Sequence, residues 1–152
     1  MEVLVRDIIK KAEEKLKEAG VVDFAVDSWL LAEFVFKINR TGFYMEPMMT
    51  VPKERADKYM ELVGIRASKI PLQHITGSQE FMGLDFKVNE DVLIPRQDTE
   101  LLVEKAITYI KSVKGNVDVL DMCTGSGCIA ISIDRLCENA KVTAVDFSEK
   151  AL

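Results

Sequence analysis

The chain has 152 residues, of which 48% are hydrophobic and 30% charged, and a net charge of −5. That is enough apolar material for the core of one ordinary domain or two small ones. Residues 1–96 carry 14 basic and 16 acidic side chains and residues 97–152 carry 6 and 9, so neither part is a basic module drawn to nucleic acid by bulk electrostatics. In chain order, residues 2–19 place Leu4, Ile8, Ile9, Ala12, Leu16 and Ala19 on one helical stripe between charges, and Gly20 is a natural stop. Asp23 is placed to cap a second helix through Trp29, Leu30, Phe34 and Val35, apolar on two faces and hence central. Residues 40–49 read as irregular. The stretch TVPKERADKYMELVGIRASK reads as a third helix, with Pro52 in its first turn and Ala56, Tyr59, Met60 and Val63 on one face. Residues 1–70 are therefore expected to form an all-α helical bundle.

The pattern changes at IPLQHITGSQEFMGLDFKVNEDVLIPRQDTE, where Pro71 and Gly77 break any helix. Leu84, Phe86 and Val88 alternate with period two, and a β-hairpin around Gly83 is expected, linking the two parts over residues 71–97. Asp98 reads as the cap of a helix through Leu101, Leu102, Ala106, Ile107 and Ile110, ended by Gly115 and Asn116. Then VDVLDM is a short strand, CTGSG a loop, CIAISIDRLCE a helix and KVTAVDF a second strand, which is one βαβ unit and implies a parallel sheet over residues 98–152. The fold class is thus α+β overall. A two-stranded parallel sheet cannot cover itself on both faces, so the sequence is expected to be part of a longer chain.

The chemistry concentrates in VLDMCTGSGC, residues 119–128. Gly125 and Gly127 permit positive φ and leave room for a ligand, and the following helix offers free amide donors. Asp146 lies 19 residues beyond Gly127, where a carboxylate can accept hydrogen bonds from ribose hydroxyls. Two ligand classes share this geometry. GSGCIA, with Ala130, fits a dinucleotide fingerprint loosely. Asp121, four residues before Gly125, favours S-adenosylmethionine (AdoMet), which carries an ammonium and a sulfonium where a dinucleotide carries pyrophosphate. Cys123, Cys128 and Cys137, with the single histidine His74 far away in sequence, read as packing or loop residues, not as a disulfide framework or a metal site. No run of about 18 apolar residues occurs, and the charged amino terminus has no signal-peptide core, so a cytoplasmic protein without membrane contact is expected.

The stretch PLQHITGSQEFMGLDFKVNEDVLIPRQDTELLVEKAI, followed by VLDMCTGSGCIAISI and VTAVDFSEKAL, resembles the release-factor glutamine methyltransferases, the HemK/PrmC family. The resemblance runs from Ile70 to the end, and the preceding segment has the length and character of that family's helical bundle. It implies an amino-terminal bundle that recognises the release factor, a hairpin linker and the first part of a Rossmann-like AdoMet-dependent methyltransferase domain. The activity it implies is methyl transfer from AdoMet to the glutamine amide nitrogen in the Gly-Gly-Gln motif of class I peptide release factors. Carried over by motif, Thr124, Gly125, Ser126 and Gly127 form the AdoMet loop and Asp146 holds the ribose, and Asp121 and Cys123 are counted with them as cofactor-binding. Cys123 stands where many methyltransferases have the first loop glycine. The family's Asn-Pro-Pro-Tyr motif, which holds the acceptor amide, is expected downstream of Asp146 and is not among these residues, so no catalytic residue is assigned and no methyl transfer is expected from residues 1–152 alone.

Arg96, in LIPRQDTE, reads either as a substrate-facing cation or as the ion-pair partner of Asp98 or Glu100; Gln73 and Thr76 lie in a family motif or brace the linker; Met48 and Met49 read as core or as a partner contact. Two further functions stay open: a protein-interaction module with a vestigial nucleotide loop, and an amino-group methyltransferase acting on nucleic acid.

Overall fold

A computed structural model describes all 152 residues, which divide into two compact units, Met1–Thr76 and Gly77–Leu152. The first unit contains β1 (Glu2–Leu4), α1 (Val5–Glu18), α2 (Phe24–Phe36), α3 (Arg40–Met45), β2 (Thr50–Pro52), α4 (Lys53–Ala67) and α5 (Leu72–Thr76). The stripe of α1 is buried as its periodicity demands, and the helix ends in a Schellman turn: Gly20, at φ +69°, donates to Lys17 O, and Val21 donates to Leu16 O. Helix α2 is central, burying Trp29, Leu31, Ala32 and Phe36 against Leu16, Tyr59 and Val63 in one cluster. Two polar links fasten α2 to α4. The Tyr59 hydroxyl donates to Ser28 O at 2.9 Å, and Arg66 Nε donates to Asp27 Oδ2 at 2.6 Å. Burial, and secondarily the charge of Glu13, raises the Tyr59 pKa, so the phenol stays a donor.

This unit departs from the expected all-helical bundle. Strands β1 and β2 pair antiparallel, with Val3 opposite Val51, so residues 2–4 and 50–52 leave their helices to form a ribbon. Pro52 accordingly closes β2 and precedes α4 rather than sitting in its first turn. Residues 40–45 are helical, because Asn39 Oδ1 accepts from Gly42 N at 2.7 Å and caps α3. Asp23 occupies the N-cap position of α2 but its side chain makes no capping bond. Pro71 and Gly77 bracket the single turn of α5 instead of excluding a helix.

The second unit contains β3 (Ser78–Phe81), β4 (Leu84–Lys87), α6 (Gln97–Ser112), β5 (Val117–Met122), α7 (Cys128–Leu136) and β6 (Ala140–Val145). Strands β3 and β4 form the expected hairpin, with Met82 and Gly83 both at positive φ, the two-residue turn whose twist matches the strands. The hairpin is not a linker, however. Phe81 and Phe86 meet edge to face at 6.1 Å and are buried with Val103, Ile110, Cys128, Ile133 and Cys137. Glu100 Oε1 also accepts from Met82 N at 2.7 Å, pinning the turn. The boundary therefore falls at Thr76/Gly77, not at residue 70 or 97, because the hairpin phenylalanines belong to the second core. Asp98 lies inside the first turn of α6, with Arg96 at the N-cap and no side-chain capping bond. It favours the helix through the dipole instead.

Strands β5 and β6 pair in parallel through the α7 crossover, from Val117 opposite Ala140 to Met122 opposite Val145. Alternation along β5 turns Val117, Val119 and Asp121 to the covered face and leaves Leu120 (59% exposed) and Met122 (65%) on the open one. No helix is long and apolar enough to cross a membrane.

Candidate functional site

The parallel register brings Asp121 and Met122 level with Ala144 and Val145, so the loop after β5 and the loop after β6 leave the same edge of the sheet side by side. Ligands of parallel α/β sheets sit outside the carboxyl ends of the strands, at this kind of edge. Thr124 N donates to Val145 O at 3.0 Å and stitches the loops together. Thr124 Oγ1 donates to Asp121 Oδ2 at 2.7 Å, tying the loop back to its own strand.

The backbone explains the residue types. Cys123, Gly125 and Gly127 have φ of 63°, 55° and 75°. Three left-handed residues in five make the turn that lifts the chain from strand to helix. Cys123 occupies a left-handed position that would suit glycine, so the cysteine there carries backbone strain. At Gly127 an added Cβ would stand 3.0 Å from Ile131 Cδ1, whereas at Gly125 it would meet nothing within 4 Å. Gly127 is favoured by its left-handed backbone and more mildly by the nearby Ile131 methyl, whereas Gly125 faces open space where a ligand can approach.

Asp146 is engaged on both oxygens. Gly125 N donates to Oδ2 at 2.8 Å and Ser148 N donates to Oδ1 at 2.9 Å. These amide hydrogen bonds, Ser148's first, hold its carboxyl below the usual carboxylate range, so it is ionised at neutral pH. Three of the loop amides have partners within the chain: Thr124 N goes to Val145 O, Gly125 N to Asp146 and Gly127 N to Thr124 O. Pyrophosphate binding by such a loop uses free N–H groups. Here three of them are spent internally, two of those stitching the two loops together, and two carboxylates flank the turn. The electrostatics suit a cationic nucleoside better than a dinucleotide.

The structure brings Asp121, Cys123, Thr124, Gly125, Ser126, Gly127 and Asp146 to this one edge. Arg96 is exposed at the start of α6 and pairs with neither Asp98 nor Glu100; Glu100 is engaged by Met82 N. Cys128 is buried, and burial pushes its thiol pKa up, with a Ser126 hydrogen bond opposing, so it is a packing residue and not a nucleophile. Sequence reasoning passed over two features. Phe147, directly after Asp146, is fully exposed, an aromatic face free for a base to stack on. A cavity of about 540 Å³ adjoins Ser126, with Lys87, Asn89 and Lys150 among its walls. Phe147 could have been found from its place one residue past the carboxylate; the cavity joins segments far apart in sequence and left no local signal.

Comparison with known proteins bears on the same residues. Residues 7–77 match the PrmC N-terminal domain. Release factor glutamine methyltransferase of Clostridium botulinum is 34% identical over 147 residues, covering 97% of this chain and 52% of the relative. The protein of that name from Fusobacterium nucleatum is 38% identical over 147 residues, covering 96% and 41%, and that from Clostridium acetobutylicum is 36% identical over 148 residues, covering 97% and 52%. The chain spans about half the length of these curated relatives or less. With matches that run through both the helical unit and the glycine loop, the chain is similar over nearly its whole length to release factor glutamine methyltransferases.

Proposed function

We propose that the protein takes part in AdoMet-dependent methylation of the glutamine side-chain amide in the Gly-Gly-Gln motif of class I peptide release factors, in the cytoplasm. In this reading Gly77–Leu152 opens a Rossmann-like methyltransferase domain and Met1–Thr76 recognises the release factor. The observation that carries the cofactor assignment is the loop's bonding: Gly125 N is committed to the Asp146 carboxylate, and Asp121 is held at the same edge by Thr124. The remaining lone pairs of Asp146 accept the ribose hydroxyls, Phe147 offers a stacking face for adenine, and the negative edge favours the ammonium and sulfonium. Bound there, AdoMet supplies a methyl group activated by the positive sulfur.

An amide nitrogen is a poor nucleophile because its lone pair is delocalised into the carbonyl. It needs hydrogen-bond acceptors that polarise it and hold it in line with the methyl group. No Asn-Pro-Pro-Tyr occurs in residues 1–152. These residues therefore bind the donor without transferring its methyl group.

The test measures AdoMet and NAD binding by calorimetry, and label transfer from tritiated AdoMet to a release factor. The chain should bind AdoMet and not NAD, and should transfer no label; a protein of the relatives' full length should transfer it. NAD binding in preference to AdoMet, or label transfer by residues 1–152, would overturn the corresponding half. Retention of release factor with no AdoMet binding would instead favour the interaction-module reading.

A further inference from the structure

The first unit holds a cleft outside the cofactor edge. It lies between α1, α2 and α3 and has a volume of about 360 Å³. Its floor is apolar: Ile9 and Trp29 are buried, and Phe43 stands edge to face against Trp29 at 5.2 Å. Its rim is cationic, with Arg6 and Lys10 on one face of α1 and Arg40 at the start of α3, all three exposed. The Arg40 guanidinium lies 5.6 Å from the Trp29 ring centroid. Lys10 and Arg40 make no ion pair in the chain, and Arg6 has only the exposed Asp7 at 3.5 Å. The one carboxylate in the wall is Glu13, a turn further along α1 and partly buried, whose charge is felt at Tyr59. Trp29 Nε1 has no hydrogen-bond partner although the side chain is more than nine-tenths buried. On the rim, Tyr44 is 74% exposed, and Met45 beside it is 81% exposed.

This is a local excess of positive charge in a chain whose net charge is −5. With Arg6 beside Asp7, it is Lys10 and Arg40 that stand over the aromatic floor without an ion pair. Neither property alone fixes an occupant, but together they select one: a segment with an apolar side chain to cover Trp29 and Phe43 and with carboxylates to meet Lys10 and Arg40. A nucleic acid would want a broad basic face, and outside the cleft the first unit carries more carboxylates than cations, eleven against nine. We propose that this cleft docks an acidic segment of the polypeptide substrate, anchored by an apolar side chain on the Trp29 floor. The inference rests on the proposed function for the identity of the substrate, a release factor. Electrostatic complementarity of this kind sets register and encounter rate, while the buried aromatic supplies the anchor.

Trp29 is the only tryptophan in the chain, so the cleft carries its own reporter. The experiment labels the 152-residue chain with 5-fluorotryptophan and titrates it with a class I release factor, following the single fluorine resonance. Lys10→Glu and Arg40→Glu are run in parallel, with thermal unfolding as a control, since both residues are exposed and should leave the fold intact. The expected result is a saturable shift of the resonance, affinity that falls with salt, and a loss of about tenfold or more in the double charge-reversal variant at unchanged Tm. Release factor binding that leaves the resonance unmoved, or that survives both reversals, overturns the cleft while the proposed function stands. No binding by a chain that still binds AdoMet overturns recognition by the helical unit, and the cleft with it.

Discussion

Removing the Asp27 carboxylate is the sharpest test of how the helical unit is held together. Arg66 Nε meets Asp27 Oδ2 at 2.6 Å, with side-chain exposures of 19% for Arg66 and 10% for Asp27. The same guanidinium donates from Nη1 to Ile70 O at 3.2 Å, so one side chain ties α2, α4 and the approach to α5. In Asp27→Ala the cation keeps its position but loses its counter-charge in a site largely closed to water. Breaking a buried pair costs about 3–5 kcal/mol. Arg66 retains a path to solvent, which argues for the lower end, about 3 kcal/mol. For a unit of this size that corresponds to a fall in Tm of roughly 12–24 °C. The assay is urea and thermal unfolding followed by Trp29 emission, which reports the first unit because Trp29 is two residues from Asp27 and buried in its core. Replacing both partners with apolar residues, Asp27→Leu with Arg66→Met, should recover most of the loss, because no stranded charge remains. A cost below about 1 kcal/mol for Asp27→Ala would mean that the pair behaves as a solvated surface pair, and the reasoning fails.

Three predictions concern the glycine loop. Cys123→Gly relieves a left-handed side chain and should stabilise the second unit by up to about 1 kcal/mol in urea unfolding, with AdoMet affinity retained. Gly127→Ala and Gly125→Ala should separate packing from binding: the former meets Ile131 and costs about 1–2 kcal/mol of stability, while the latter costs less stability yet lowers AdoMet affinity, because its methyl group projects into the open side of the loop. The Asp146 carboxyl is held below its ordinary pKa by the Ser148 and Gly125 amides, so its contribution is complete above the usual carboxylate range and is lost only as pH falls through the depressed folded value. Loop order and AdoMet binding should thus be flat from neutral pH down to the ordinary aspartate range and fall below it, and Asp146→Asn should remove that acid limb; nuclear magnetic resonance of the Gly125 and Ser148 amides checks this.

The elements that periodicity and turn chemistry define were legible. VDVLDM is β5 residue for residue, and the turn at Gly83 is where the hairpin reverses. The candidate residues from Asp121 to Gly127, and Asp146, were singled out by spacing together with the family resemblance, and the parallel register of one βαβ unit sets both strand ends at one edge. What was missed depends on partners distant in sequence. Glu2–Leu4 carries the same apolar residues whether it opens a helix or pairs with Thr50–Pro52 some fifty residues later, and only the pairing decides. The hairpin looked like a linker because its apolar positions are few; its place in the second core follows from Phe81 and Phe86 meeting Val103 and Ile110. Asp23 and Asp98 have the right type for caps but sit where the backbone offers their side chains no amide. Arg96 next to Asp98 and Glu100 suggested an ion pair, yet Glu100 is taken by the hairpin turn.

The two hydrophobic clusters share no residue, one drawing on Val3 to Ile75 and the other on Phe81 to Val142. During synthesis this imposes an order in time. The helical unit has every side chain of its core once residue 76 has cleared the ribosome. At about 5–20 residues per second, Gly77–Leu152 takes roughly 4–15 s to be made. A helical unit of this size folds in far less time than that. It can therefore be complete while the glycine loop is still being polymerised, and the second core then forms beside a neighbour that no longer competes for its phenylalanines.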